Sequence, residues 1–598
     1  MARKINPVIR EIISNQLNCS TQEMGLNMVR TAYSVLFAED RDFSCGIFDY
    51  QARMIGIASF VPLHQGGMAG AMEFVMDKWG LNGLEEGDIV MHNDALNKGS
   101  HTPDITLFKP IFYDGKLVAI SACAAHHADT GGMRPSSYCP DADEIYQEGI
   151  RFPAVKLFKK GELQQDILDT YLTNVRGPES ERGDLYAQLS TFTVAERGVR
   201  DLCERYGGAK GFQEYSDAIQ DYNEERMRER IRSISEGSYE AEGYVDHDGW
   251  EAKSWKIKVR VTVKHTPKPK LIIDFSGTDA ECRGFAKSYF RNTRASVWGG
   301  VYAMTDPYIH KCEGCTRAVE IIAPEGTMVN ANPPGSIGAC TTETGFVVID
   351  VIIEALGKAR PEWATGTWGG TFGCQYAWGK NPRRSKYPRL KEDWSTLFAD
   401  PGCQGGGARA TKDGLGPTTD IGGGPITMPN VEVMELNYPL LYKYRRLLTD
   451  GGGAGKFRGS PTYEALIQPE ADATFVALSN KGYHGAPGIF GGKEGSRWKL
   501  EIRNPDNNET ISTLSPKVLN YPFSPKEAVY IGMPGGGGYG HPWERAVEKV
   551  RDDVIEGYVS VKGAKEDYGV VIKSETFEID TRATEELRSK MKKEAIHG

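Results

Sequence analysis

The chain has no run of about 18 uninterrupted apolar residues, so nothing in it reads as a membrane-spanning helix. Its opening residues, Met1-Ala-Arg-Lys-Ile-Asn-Pro, lead into an amphipathic segment rather than the apolar core of a signal peptide. Positive charge is in deficit. Against 80 Asp and Glu there are 71 Lys and Arg, a net charge of −9, and such a chain is a poor partner for a phosphate backbone. Nucleic acid is therefore not the expected partner. Ordered cysteine pairing is missing as well: the 11 cysteines are odd in number and irregularly spaced, with none after Cys403. That pattern predicts reduced thiols and a cytoplasmic protein.

Nucleotide and nucleophile signatures are absent too. No Gly-x-Ser-x-Gly occurs, which leaves a serine nucleophile without support. The run Gly451 to Phe457 is one residue short of a phosphate loop and carries Phe457 where a Ser or Thr would hold magnesium. The runs Gly488 to Lys493 and Gly535 to Gly540 lack the strand and helix that a dinucleotide fingerprint needs. All three are read as tight turns. The lone Cys312-x-x-Cys315 has no second pair to complete a zinc site, and Cys45 and Cys123 sit in apolar runs that predict buried, inert thiols. No repeat with a period of 20 to 50 residues is visible.

What is present is an ordinary globular composition, 40% hydrophobic and 25% charged, in 598 residues, enough for about three to four domains. Glycine, at 69 residues, is the one excess. Pro7 opens a helical pattern that carries Val8, Ile9, Ile12, Ile13, Leu17, Met24 and Met28 and breaks at Glu39-Asp40-Arg41-Asp42. A hairpin follows, Phe43 to Phe48 and Arg53 to Ile57, then a helix around Met68 to Trp79 and strands at 89–92, 105–112 and 116–125. Residues 180–234 read as helical, and 237–245, 252–263 and 270–275 as an antiparallel meander. Periodicity leaves 344–356 undecided between helix and strand. Residues 402–424 read as an ordered loop, and the remainder as β-structure with a helix at 542–557 and a polar tail from Thr581. The expected fold is thus mixed α+β and multi-domain. Residues 1–235 form N-terminal helices with a mixed sheet, 236–400 an antiparallel meander with helices, and 401–598 a glycine-rich β domain closed by a helix.

The densest chemistry lies in two loops, Gly99 to Asp104 and Ala125 to Gly132. Four of the 11 histidines, His92, His101, His126 and His127, fall within 36 positions, and each loop ends a predicted strand, where side chains converge. Imidazole with carboxylate suits Zn, Mn or Fe, while capping or satisfied surface histidines are the plainer reading of the same residues. Adjacent residues on a strand face opposite ways, so at most one of His126 and His127 reaches a given ion. Asp42, at a helix-to-strand junction, is either a further ligand or a turn residue.

Several strings together resemble the hydantoinase B family: Glu39 to Cys45, Asn93-Asp94, Gly99 to Leu107, His126 to Gly132, Asn174-Val175-Arg176, Asp184 to Gln188, Asp450 to Gly459, Phe490 to Lys493 and Pro534 to Gly540. That family includes the B subunits of ATP-dependent hydantoinases and lactamases, the C-terminal half of 5-oxoprolinase, and subunits of acetone and acetophenone carboxylases. The resemblance implies a divalent ion held by Asp42, His101, Asp104 and His126, with His127 and Asp129 touching ligands or substrate and accepting a proton. It also implies an A-type partner of actin-like kinase fold that carries ATP and magnesium, leaving this chain as half of a hetro-oligomeric enzyme acting on a small molecule. The partner would phosphorylate a cyclic amide or imide, and hydroxide on the ion would attack the activated carbon, coordination lowering the pKa of water to roughly 7. Two departures stand out: Asn93-Asp94-Ala95-Leu96 where the family often has Asn-Asp-Pro-Tyr, and His127 where carboxylase members carry Trp. The second favours hydrolysis. A ketone carboxylase subunit and a metal-free scaffolding paralogue are the competing expectations.

Overall fold

Asn6 caps the first helix by accepting the Val8 N–H, and Pro7 fills its first turn, so α1 runs unbroken over Pro7–Thr31. In the computed structural model, which describes residues 5–388, 392–397, 403–424 and 426–597, the chain then passes a tight turn at Leu36–Asp40. Arg41 takes a left-handed conformation (φ 63°), which reverses the backbone into β1 (Phe43–Asp49) and β2 (Met54–Ala58).

Helix α2 (Leu63–Trp79) starts earlier than its apolar periodicity predicts. Gly66 and Gly67 dilute the signal, yet close packing requires the first of them: a Cβ on Gly66 would lie 2.4 Å from Ala295. After α2 come β3 (Ile89–His92), β4 (Asp104–Tyr113), β5 (Lys116–His126), β6 (Val155–Lys159) and β7 (Glu162–Leu163). The helices α3 (Gln165–Thr173), α4 (Pro178–Arg205) and α5 (Gly208–Arg232) follow.

The seven strands form one sheet in the order β2-β1-β5-β4-β3-β6-β7, antiparallel at every pairing. Both faces are covered. A Cβ on Gly46 would point at Met68 of α2, whereas one on Gly56, in the neighbouring strand, would meet Leu17 of α1. Phe48, Phe108, Ile120, Ala122 and Ala124 pack with Met68, Met72 and Val75 of α2 in one core cluster. Double coverage explains why β1 is buried along its whole length and reads as a continuous apolar run.

The meander appears as β8 (Gly237–Asp246), β9 (Ser254–Lys264) and β10 (Lys270–Asp274), and β11 (Val319–Ile322) adds to β10 in parallel. The segment that periodicity left undecided is a helix over Gly345–Ala359, preceded by a tight turn at Cys340–Thr344. By compactness, Met1–Glu242, Ile257–Ile352 and Ile421–Ile426 form one unit, and Gly243–Lys256, Ile353–Asp420 and Thr427–Gly598 the other. Residues of the expected middle segment, 236–400, are thereby shared between the two.

The second unit holds a four-stranded sheet and a five-stranded sheet. The expected polar tail from Thr581 is a helix, Thr581–His597. The segment Gly535 to Gly538 is not a tight turn, which corrects the sequence expectation there, whereas the run Gly488 to Lys493 does turn, with Phe490 and Gly491 at positive φ (52° and 92°) and Gly492 N–H donating to Ile489 O at 3.1 Å. Gly535, Gly536, Gly537 and Gly538 donate to Ser496, Ser460, Thr367 and Lys493 carbonyls at 2.8–3.2 Å, and the carbonyls of Gly536, Gly537 and Gly538 accept from Gly453, Ala408 and Ile489. One buried glycine segment is therefore hydrogen-bonded to neighbours all round it, where a strand has only two. Side chains must be absent because backbone fills their space: a Cβ on Gly535 would lie 1.7 Å from Gly451 O, and one on Gly407 1.7 Å from Gly366 O. Close backbone approach thus accounts for these glycines.

Candidate metal centre

Strand register brings three of the expected residues together. β1, β5 and β4 are neighbours, Phe43 lies opposite Ala125, and Asp104 lies opposite His126. His126 N–H donates to Asp42 O at 3.0 Å. Because side chains alternate, Asp42, Asp104 and His126 share the face that carries Phe48, Phe108 and Ala124, the face covered by α2. His101 joins them through a turn closed by Asp104 N–H donating to His101 O at 3.1 Å. His101, Asp104 and His126 offer donor atoms that all lie within 4.8 Å of one another, and all three are buried.

His64 completes the cluster and was not anticipated. Its Nε2 lies 3.6 Å from Asp104 Oδ1 and 3.9 Å from Asp42 Oδ1. The early start of α2 puts this residue in the helix's first turn, over the strand ends. The glycines after it hide the helix from a periodicity search, so the only sequence signal was Pro62 as a helix-start residue. Tyr138 was missed as well: its ring stacks on His126 at 5.4 Å and meets His101 edge-on at 6.0 Å.

Proton accounting shows what the cluster lacks. His101 Nδ1 lies 2.8 Å from Gly338 O, a carbonyl that only accepts, so Nδ1 carries the proton and donates. In a neutral ring Nε2 is then a lone pair, yet it faces Asp104 Oδ1 at 3.0 Å and His126 Nδ1 at 3.2 Å. His126 Nδ1 is also 3.2 Å from Asp104 Oδ1. Acceptors facing acceptors in a buried site call for a cation or a shared proton among them. Without an ion, protons meet that need. Burial works against charge on His101 and His64, but Asp104 outweighs it and raises both. Burial likewise pushes Asp104 up, but His101 and His64 hold it well below the usual carboxylate range. Burial raises Asp42. Asp104 Oδ2 and His64 Nδ1 are buried with no hydrogen-bond partner. Imidazole nitrogens with carboxylate oxygens are the donor set of a divalent transition ion, so the residues present fit one.

His127 and Asp129 lie apart from these donors. His127 points to the opposite face, where Nδ1 is 2.7 Å from Glu181 Oε2 and Nε2 is 2.8 Å from Gln188 Oε1. Gln188 donates its amide to Ile105 and Cys123 carbonyls, so its oxygen accepts from His127. Burial disfavours charge on His127, but Glu181 raises its pKa. Tyr171 OH donates to the same Glu181 oxygen at 3.0 Å. Asp129 donates its N–H to Glu181 Oε1 at 3.1 Å, and its carboxylate pairs with Arg176 at 3.2 Å. Burial lifts Asp129 to about 6 against the pull of Arg176. Glu181→Ala would leave this imidazole uncompensated. It is expected to cost about 3–5 kcal/mol in stability, read as a lower denaturation midpoint in guanidinium. An unchanged midpoint would show the pair to be energetically idle.

The other singled-out residues fall away from the centre. Cys45 and Cys123 face each other across β1 and β5 with 3.9 Å between sulfurs, both buried, and burial pushes the Cys45 thiol far up. Cys312 and Cys315 are buried free thiols. His92 is buried, with Nδ1 accepting the Ala154 N–H at 3.1 Å, and burial lowers its pKa to about 4. Among the described residues no helix is long and apolar enough to cross a membrane.

Comparison with known proteins follows the same lines. The model of the family described as hydantoinase B/oxoprolinase matches residues 6–542. A caprolactamase subunit beta from Pseudomonas jessenii is 32% identical over 581 residues, 95% of this chain and 96% of that one. A crystal structure of an ATP-dependent caprolactamase from the same organism superposes with a TM-score of 0.89 at 30% identity, covering 98% of this chain and 100% of that chain. A nucleotide-free acetone carboxylase matches with a TM-score of 0.90 at 20% identity over 100% of this chain and 84% of that one, which is a likeness of fold.

Proposed function

Since this chain belongs to the hydantoinase B/oxoprolinase family, we propose that it is the metal-holding subunit of an ATP-dependent enzyme that hydrolyses a cyclic amide or imide. The observation that carries the reading is the buried set Asp42, His64, His101, Asp104 and His126, gathered at one end of three neighbouring strands. The relatives support the reaction class: one similar across nearly its full length is named as a subunit of a caprolactamase, and a solved caprolactamase of like fold is ATP-dependent. Because no nucleotide motif was found in the sequence, this reading places ATP and magnesium on a separate A-type partner.

In this reading His101, Asp104, His126 and Asp42 would hold a Zn, Mn or Fe ion, with His64 Nε2 beside the two carboxylates. Such an ion supplies a Lewis acid that polarises an amide oxygen and makes water a nucleophile near neutral pH. Asp104 Oδ1 is the hub, lying against all three imidazoles. Gly338 O fixes the His101 tautomer, and the Tyr138 ring packs face-on against His126 and edge-on against His101. His127 and Asp129, expected to accept a proton, receive a supporting role instead. Both His127 nitrogens are engaged with Glu181 and Gln188, and Asp129 is tied to Arg176.

Elemental analysis of dialysed wild type beside His101→Ala tests the centre. About one equivalent of ion in wild type, lost in the variant, is expected. With the partner subunit and ATP, turnover of lactams or hydantoins is expected. Turnover of ketones with bicarbonate and none of cyclic amides would replace hydrolysis by carboxylation.

A further inference from the structure

The cation centre has an anchor behind it that no family string announced. Glu148 is fully buried, and its Oε1 accepts two backbone N–H bonds, from Ile337 at 2.9 Å and Gly338 at 2.7 Å. The carbonyl of that same Gly338 takes the Nδ1 proton of His101 at 2.8 Å. The segment is further tied by Ser336, which donates its N–H to Asp143 O and its hydroxyl to Ala142 O. The packing around this peptide is close: a Cβ added to Gly338 would stand 3.1 Å from Glu148 Oε1 and 3.3 Å from Phe285. A buried carboxylate is costly to keep unless it does something that water or a neutral group could not. Here its second oxygen, Oε2, has no hydrogen-bond partner, so the burial is offset by the two N–H bonds together with the nearby charges of His101 and Lys287.

We propose that Glu148 is a positioning residue for the cation centre: by clamping the Ile337 and Gly338 N–H groups, it fixes the Gly338 carbonyl and so holds His101 with its Nε2 lone pair toward Asp104 and His126. The chain of contacts is complete: carboxylate, peptide N–H, the carbonyl of the same residue, imidazole Nδ1–H, and the opposite ring nitrogen at the donor cluster. Metal-bound imidazoles depend on such an acceptor at their far nitrogen for orientation and basicity, and losing the supporting residue typically costs about 10–100-fold in affinity. The inference rests on His101 being a ligand, as the proposed function has it.

Cobalt(II) serves as the probe, because its visible spectrum reports ligand geometry and its affinity can be read by chelator competition on the full-length chain. Glu148→Ala is expected to weaken cobalt about 10–100-fold and to alter the visible bands. Glu148→Gln keeps an oxygen to accept both N–H groups and is expected to bind within about threefold of wild type with an unchanged spectrum. That rescue separates positioning from bulk stability, which would follow the lost packing rather than the acceptor. Should Glu148→Ala fail to fold, Gly338→Ala strains the same clamp from the other side, because its added methyl would stand 3.1 Å from Glu148 Oε1, and a several-fold loss is expected there. Wild-type affinity and spectrum in Glu148→Ala, or in Gly338→Ala where only that variant folds, would overturn the positioning role alone, provided His101→Ala abolishes cobalt binding. Cobalt bound by His101→Ala as by wild type would overturn the ligand reading and this inference with it.

Discussion

Asp104→Asn is expected to leave a folded chain that no longer retains a divalent ion, and an assembled enzyme without turnover. Asparagine matches the shape of aspartate, so packing at the start of β4 is kept and only the charge is removed. That charge is central. Asp104 Oδ1 lies 3.0 Å from His101 Nε2, 3.2 Å from His126 Nδ1 and 3.6 Å from His64 Nε2. Without it, three imidazoles and a cation would share a buried site with Asp42 as the sole remaining carboxylate of the set. The loss of affinity should exceed the roughly 10–100-fold that a supporting residue costs. His64→Ala, which removes a donor at the margin of the cluster, is expected to fall inside that range. Metal content after dialysis and circular dichroism of the same samples decide the matter. A variant that keeps its ion would remove Asp104 from the centre, and one that loses its dichroism would show the residue to be structural.

Gly536→Ala is expected to yield little or no soluble protein, although it adds a single methyl group far along the chain from the metal loops. The added Cβ would stand 2.0 Å from Gly406 O and 2.3 Å from Gly406 C. Neither side can yield cheaply. Gly406 N–H is bonded to Leu415 O, Gly406 O accepts from Ser460, and Gly536 itself is held by Ser460 and Gly453. Overpacking against flexible side chains costs about 1–3 kcal/mol, and here the struck atoms are backbone within a hydrogen-bonded core, so the cost lies at or beyond the top of that range. Gly177→Ala is the matched control, since nothing lies within 4 Å of its added methyl. It should change stability by no more than about 1 kcal/mol. Soluble yield and resistance to limited proteolysis distinguish the two, and equal behaviour would show the glycine core to be loosely packed.

Local order was legible wherever one face of an element carries the signal. The meander at β8, β9 and β10, the first hairpin and helix α1 all follow from alternation, periodicity and a capped Pro7. The same period-two rule separates His126 from His127 before any coordinates are known, and the structure sends them to opposite faces of β5. His64 stayed hidden because Gly66 and Gly67 interrupt the apolar pattern at the start of α2, and these glycines answer to Ala295 and Ser100, neighbours that sequence does not display. Glu148 stayed hidden because its role runs through backbone atoms, which carry no sequence identity.

The glycine runs show the limit most plainly. Composition alone determined that the backbone of this chain must do something unusual at Gly451, Gly488 and Gly535 and their neighbours. Whether that meant turning or close approach was decided by the tertiary structure, where carbonyls occupy the places of the missing side chains. The sequence by itself likewise determined the fold class, the family resemblance and two histidine-carboxylate loops. Which atoms meet was settled by strand order, because placing β1 beside β5 and β5 beside β4 is a non-local choice that brings residues 42, 104 and 126 together at one end of these strands.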